Sequence, residues 1–226
     1  MSLMARRRAL MGAQRDKIIP LQNVPVGALV KFGNSYSYNL INVGVVDGIS
    51  LLLREKTLVQ RSTGKSTAGN IDYDTSTLDN YLMGSSFYGS YPTSVKNVMR
   101  NFSVTYNASD GTNIVERTIQ RKIFIPTRKQ SIATDGVDGV VLAALKIFKN
   151  TDVASTARIA KNSSGTDYSW SIMDAVSTSK YYYIYTDGTL KSNASYNQGG
   201  VAPRPLFAID KTVPTKLQDG IYVCQL

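Results

Sequence analysis

The chain has 226 residues, with 26 Lys and Arg against 16 Asp and Glu, one Cys and no His. That inventory excludes Ser-His-Asp and Cys-His relays, zinc sites of the His/Cys kind and any internal disulfide. The formal charge of +10 invites a nucleic-acid reading; however, Arg6, Arg7, Arg8, Arg15 and Lys17, offset by Asp16, supply +4 of it, which leaves +6 for residues 18–226.

Residues 1–19 form a basic N-terminal segment. Its basic block is not followed by the apolar stretch of a secretory signal, because Gln14, Arg15, Asp16 and Lys17 arrive at once. It reads as a short helix or an attachment tail, with Arg6, Arg7, Arg8 and Arg15 as the attachment residues. No run reaches the ~18 apolar residues of a membrane span, so membrane insertion is not expected.

Residues 20–226 read as one domain. Strand patterns at 28–32, 38–43 and 49–53 predict an antiparallel meander, with Asp47-Gly48 as a hairpin turn. Residues 61–77 are polar and predict a long loop, ending at Ser76 or Thr77 as the cap of a short helix that carries Leu78, Tyr81 and Leu82. A second short helix is expected after Pro92, presenting Val95, Val98 and Met99. Strands resume at 102–106, 114–119 and 122–125, and residues 140–148 predict another short helix. Residues 152–164 read as loop. Strands are expected at 168–172, 180–185, 206–209 and 221–223, with turns at Asp187-Gly188 and Asp219-Gly220. The pattern predicts an α+β fold of antiparallel strands with a few short helices and long loops.

Several motifs fail on inspection. Gly64-Lys65-Ser66-Thr67 lacks the upstream Gly of a phosphate-binding loop, since position 59 is Val. Asp72-Tyr73-Asp74 lacks the glycine and bidentate acid of a calcium loop and reads as an acidic turn. The basic run Arg117, Arg121, Lys122, Arg128 and Lys129 falls on a strand pattern that divides it between faces. No residues suggest a metal or a cofactor.

The 14 Tyr, against 6 Phe and one Trp, are the unusual feature of the composition. Residues 167–198 hold six of them, and 17 of those 32 positions are Tyr, Ser, Asn or Asp. This is the palette of a binding surface, in which Tyr supplies rigid contact area and Ser or Asn supplies adaptable hydrogen bonds. If Tyr182 and Ile184 face the core, period 2 places Tyr181, Tyr183 and Tyr185 together on the other face. Tyr168, Trp170, Asn193, Tyr196 and Asn197 are candidates to extend that face. The same strand is equally readable as a Tyr-rich element covered by a loop or a subunit.

In order along the chain, VGALVKFG (26–33), ISLLL (49–53), STLDNYLMGSSF (76–87), KIFIPT (122–127), STARIA (155–160) and YTDGTLKSNASYNQGGVAPRPLFAI (185–209) resemble a domain-of-unknown-function family common in gut Firmicutes and their phages. Its terminal signature maps here onto Asp187, Gly188, Gly200, Arg204 and Pro205. The resemblance implies that Arg204 ties its loop together by hydrogen bonds. It also implies a C-type-lectin-like fold, related to variable proteins diversified by retroelements. The family's tryptophan-rich motif is reduced to Trp170, and the sugar-binding calcium motifs of lectins are missing.

The expectation is a non-enzymatic phage or prophage tail protein, located in the virion, that displays the 168–198 surface to a bacterial receptor of protein or glycan. Other tail proteins and further copies of the chain are its expected partners; nucleic acid is not. The alternatives are a purely structural virion component, with that face as a subunit interface, and a glycan hydrolase using an Asp pair.

Overall fold

A computed structural model describes residues 17–59, 71–131, 158–195 and 201–226. The predicted helix at 140–148 and the attachment residues Arg6, Arg7, Arg8 and Arg15 lie outside the described residues, as do Tyr196, Asn197 and Gly200.

The strands are β1 (Ile18–Pro20), β2 (Leu29–Lys31), β3 (Leu40–Val46), β4 (Ile49–Arg54), β5 (Phe102–Ser109), β6 (Ile114–Arg121), β7 (Ile123–Phe124), β8 (Ala160–Lys161), β9 (Asp167–Ala175), β10 (Lys180–Ile184), β11 (Leu190–Ser195), β12 (Val201–Ala202), β13 (Leu206–Asp210), β14 (Pro214–Gln218) and β15 (Ile221–Cys224). The α-helices are α1 (Thr77–Met83), α2 (Thr93–Val98) and α3 (Arg128–Ser131).

These elements correct the expected α+β class. Strand accounts for 46% of the described residues and helix for 16%, so the fold is β-rich. The helices are seven, six and four residues long, too short to build a layer of their own, and they serve as connections over the sheets. A C-type-lectin-like architecture does not follow from this arrangement.

One sheet has eight strands in the order β1-β14-β15-β2-β3-β4-β13-β7. The predicted meander is its β2-β3-β4 portion, and all its pairings are antiparallel except β15 with β2. Ile18 and Ile19, assigned above to the N-terminal segment, are drawn into the sheet as β1 against β14. The central strands β4 and β13 carry Leu51, Leu52 and Leu53 beside Leu206, Phe207, Ala208 and Ile209, all fully buried. An unbroken apolar run of this kind marks a strand covered on both faces.

A second sheet runs β11-β10-β9-β12, with β8 pairing the start of β9. Lys161 opposite Asp167 and Ala160 opposite Tyr168 thus form strand structure within the stretch read as loop. Alternation was invisible there because β8 has only two residues. The hairpin β5-β6 stands as a separate two-stranded ribbon. Phe102, Val104, Tyr106 and Ala108 point from it into the main core beside Leu78, Leu82, Trp170 and Ile184.

An aromatic cluster covers one part of the large sheet. Phe32 packs edge-on against Tyr36, Tyr91 and Phe207 at centroid separations of 6.0, 6.0 and 5.6 Å. Tyr36 stacks on Tyr91 and meets Tyr38 edge-on. Much of the tyrosine excess is therefore structural.

Candidate binding surface

β10 is paired on both sides, with β9 and with β11. Its alternation is interrupted by a register shift between Tyr181 and Tyr183. Ile184 lies in the main core and Tyr182 packs against it, as period 2 predicts. The opposite face differs from expectation in exposure. Tyr181 and Tyr183 are buried in a second small cluster with Ile71, Ala175, Ala194 and Val201. Ala175 and Ala194 flank Tyr181 in register, and their small side chains leave room for its ring. Trp170 is fully buried in the main core, and its indole Nε1 donates to the Arg158 carbonyl at 2.8 Å. The sequence-level face is thereby corrected: Trp170, Tyr181 and Tyr183 are interior groups, because β9 and β10 are central strands covered on both sides. Tyr168 is half-buried.

What remains outside is the end of the β10-β11 hairpin. Tyr185 is 44% exposed, with its ring edge-on to Tyr183 and the Lys191 ammonium 6.0 Å from its centroid. Lys191, Ser192, Asn193 and Ser195 are exposed along β11. Tyr183 reaches this rim with its hydroxyl, which donates to Asn193 Oδ1 at 3.2 Å. Asp187 fixes the turn: its Oδ1 accepts from Thr189 N at 2.8 Å and Thr189 Oγ1 at 2.6 Å. Those bonds, foremost the hydroxyl's, hold its carboxyl below the usual range. Gly188 adopts φ +83°, which closes the turn. The exposed residues Lys191, Ser192 and Ser195 of β11 were missed by the sequence reading; for Lys191 and Ser192 their position beside an Asp-Gly turn was the available signal.

On the other side of the strand, Tyr182 carries the Arg128 guanidinium 5.0 Å from its ring. Asp174 on β9 is buried and accepts from the backbone N–H of Asn107 at 3.0 Å and of Arg128 at 2.6 Å. It therefore ties β9 to β5 and starts α3. Burial raises its carboxyl, against those two donors.

Arg204 and Pro205 hold the sheets together. Arg204 is buried, its Nε donates to the Arg54 carbonyl at 2.9 Å, and its guanidinium lies 5.4 Å from the Trp170 ring. Pro205 O accepts from Arg54 N at 2.8 Å. Burial lowers the Arg204 pKa to about 9.

The acidic turn at Asp72 and Asp74 is also occupied. Asp72 accepts from Tyr106 Oη at 2.6 Å and pairs with Arg117 at 3.0 Å. Arg121 donates to both oxygens of Asp79 at 2.9 Å and also to Asp74. Lys122 donates to Tyr88 Oη at 3.1 Å. Within the basic run, Arg117, Arg121 and Lys122 thus work as clamps between the ribbon, α1 and neighbouring turns. Among the described residues no group of three or more His, Cys, Asp or Glu could hold a metal, and no helix is long and apolar enough to cross a membrane.

A family described as Domain of unknown function (DUF6273) matches residues 47–211, well over half of the chain, and the chain belongs to it. No curated protein and no solved structure matches the chain.

Proposed function

We propose that this member of a family of unknown function is a non-enzymatic component of a phage or prophage tail, and that it contacts the host surface through the rim at Tyr185. The observation that carries this reading is a set of exposed recognition-type side chains on the β10-β11 hairpin, Tyr185, Lys191, Ser192 and Asn193 near its turn and Ser195 farther along β11. The hairpin is anchored by the buried Tyr181, Tyr183 and Ile184, so these contacts are presented on a rigid base, which limits the entropy lost on binding.

Binding of the purified protein to host cells tests the reading. The double variant Tyr185→Ala, Asn193→Ala removes the aromatic anchor and its polar neighbour, and binding is expected to fall about tenfold or more. Unchanged binding with an intact fold sinks the proposal. The second reading, a structural virion component, draws on β11 having its outer edge unpaired among the described residues. It predicts that the rim is buried between subunits in a particle reconstruction. A glycan hydrolase is less well supported, because the clustered acids Asp72, Asp74 and Asp79 are committed to Arg117, Arg121 and Tyr106.

A further inference from the structure

Arg54 ends β4 at the border of the aromatic cluster, and its backbone is gripped on both sides, by Pro205 O and by Arg204 Nε. Its guanidinium lies over Tyr38, with Cζ 4.2 Å from the ring centroid. No described residue accepts a hydrogen bond from it, and Nε is buried without a partner. Its terminal nitrogens are not sealed in the same way, and the residue as a whole is half-buried. No carboxylate stands among the charges acting on Arg54; burial lowers its pKa and only tyrosine oxygens oppose that effect.

The groups around it are donors as well. Tyr38 Oη and Tyr91 Oη lie 2.5 Å apart. In such a pair one hydroxyl donates to the other, and the second O–H proton is left to point elsewhere. Tyr36, stacked on Tyr91, has a buried hydroxyl with no partner. A planar cation whose N–H groups meet no described acceptor and one spare phenol proton therefore stand side by side, with the unpaired phenol of Tyr36 in the same aromatic cluster. Unpaired buried donors around a cation are costly, and an anion relieves that cost.

We propose that Arg54, Tyr38 and Tyr91 form a binding site for a carboxylate-bearing ligand. A carboxylate suits the site better than a phosphate monoester for two reasons. The guanidinium fork matches the two carboxylate oxygens in a plane. The site offers a single unpaired positive charge, which balances a monoanion and leaves a dianion half neutralised. The half-buried rings of Tyr36 and Tyr38 give a ligand that carries its carboxylate on a sugar ring an additional surface to pack on. This site is separate from the rim at Tyr185 and does not depend on it.

The test is an NMR titration of the full chain with sodium acetate, sodium glucuronate, glucose and glucose 1-phosphate in turn. Saturable shifts at the amides of Arg54 and its neighbours are expected with acetate and glucuronate, and tighter with glucuronate if the source is an acidic sugar. Arg54→Lys keeps the charge but loses the planar fork, and is expected to weaken binding at least about tenfold. Tyr38→Phe breaks the hydroxyl pair and is expected to weaken it about threefold or more. If Arg54→Lys does not fold, as judged by its amide spectrum, Tyr38→Phe decides alone. The proposal is overturned if neither carboxylate gives a saturable response. It is equally overturned if glucose or glucose 1-phosphate binds as tightly as glucuronate, or if folded variants bind like the parent. Because the titration uses no cells, its failure leaves the host-surface reading standing, and loss of cell binding in the rim variant leaves this site standing.

Discussion

Two aspartates show how position decides what a carboxylate does. Asp174 is buried and supplies the acceptor for two backbone N–H groups on different elements. Asp174→Ala orphans both and is expected to cost about 3 kcal/mol in chemical denaturation, since a buried unmet donor costs about 1–3 kcal/mol. Asp174→Asn retains one acceptor oxygen and is expected to cost about half as much. Asp210 is closer to solvent. Its Oδ1 takes two bonds from Thr212, and its Oδ2 takes one from Arg100 at 2.7 Å. These push its pKa down from 3.8 to about 2, the Thr212 hydroxyl contributing most. A carboxyl depressed on folding contributes stability above its unfolded value and loses it as the pH falls through the folded value. Asp210→Asn is therefore expected to be less stable than the parent at pH 6. The difference should shrink below pH 3.8 and vanish near pH 2, as followed by thermal melts across that range. The two partners of Asp174 lie 46 and 67 positions away and Arg100 lies 110 positions from Asp210, so no local pattern announces them, whereas Thr212 is only two positions from Asp210.

At the scale of elements, the turns were the most legible features. Asp47-Gly48 joins β3 to β4, and Asp219-Gly220 joins β14 to β15. In both, the Asp and the Gly adopt positive φ, at 49° and 78° and at 48° and 83°. That is the mirror-image turn whose twist suits a two-residue hairpin. A Cβ on Gly220 would meet nothing within 4 Å, and one on Gly48 only the Lys211 ammonium at 3.9 Å. Gly48→Ala and Gly220→Ala are each expected to cost about 1–2 kcal/mol in denaturant titrations, all of it from backbone conformation. The helix start was equally readable: Ser76 caps α1 by accepting from Asp79 N at 3.0 Å. Ser76→Ala is expected to cost about 1 kcal/mol. The Tyr face of β10 was half readable. Alternation put Tyr182 and Ile184 inward, but whether the opposite face met water depended on Ile71, Ala175, Ala194 and Val201. Ile71 is more than a hundred positions from Tyr181 in the chain, and no local pattern announces it.

At the scale of the whole molecule, the large sheet is completed by strands from both sides of the family segment. Of the eight strands in the large sheet, β1, β2, β3, β14 and β15 lie outside residues 47–211, the segment shared with the family. β14 and β15 insert between β1 and β2, so segments from before and after residues 47–211 hold one edge of the sheet together. A fragment limited to residues 47–211 would leave β4 without its β3 partner and expose Leu51, Leu52 and Leu53 along an open edge. Such an edge is a template for aggregation. The fragment is expected to be insoluble or unfolded by circular dichroism, whereas residues 17–226 fold; a cooperatively melting fragment would overturn this view of the folding unit.

The sequence by itself determined the elements whose causes are local. Asp-Gly pairs set hairpin turns, a serine set a helix start, apolar runs set buried strands, and the absence of His with a lone Cys removed whole classes of chemistry. The burial of Trp170, Tyr181 and Tyr183, the clamps made by the basic run, and the unanswered donors around Arg54 were decided only by the tertiary structure. A side chain's exposure and its partners depend on which distant strands pack over it, and a one-dimensional pattern carries the period of a face without the identity of what covers it.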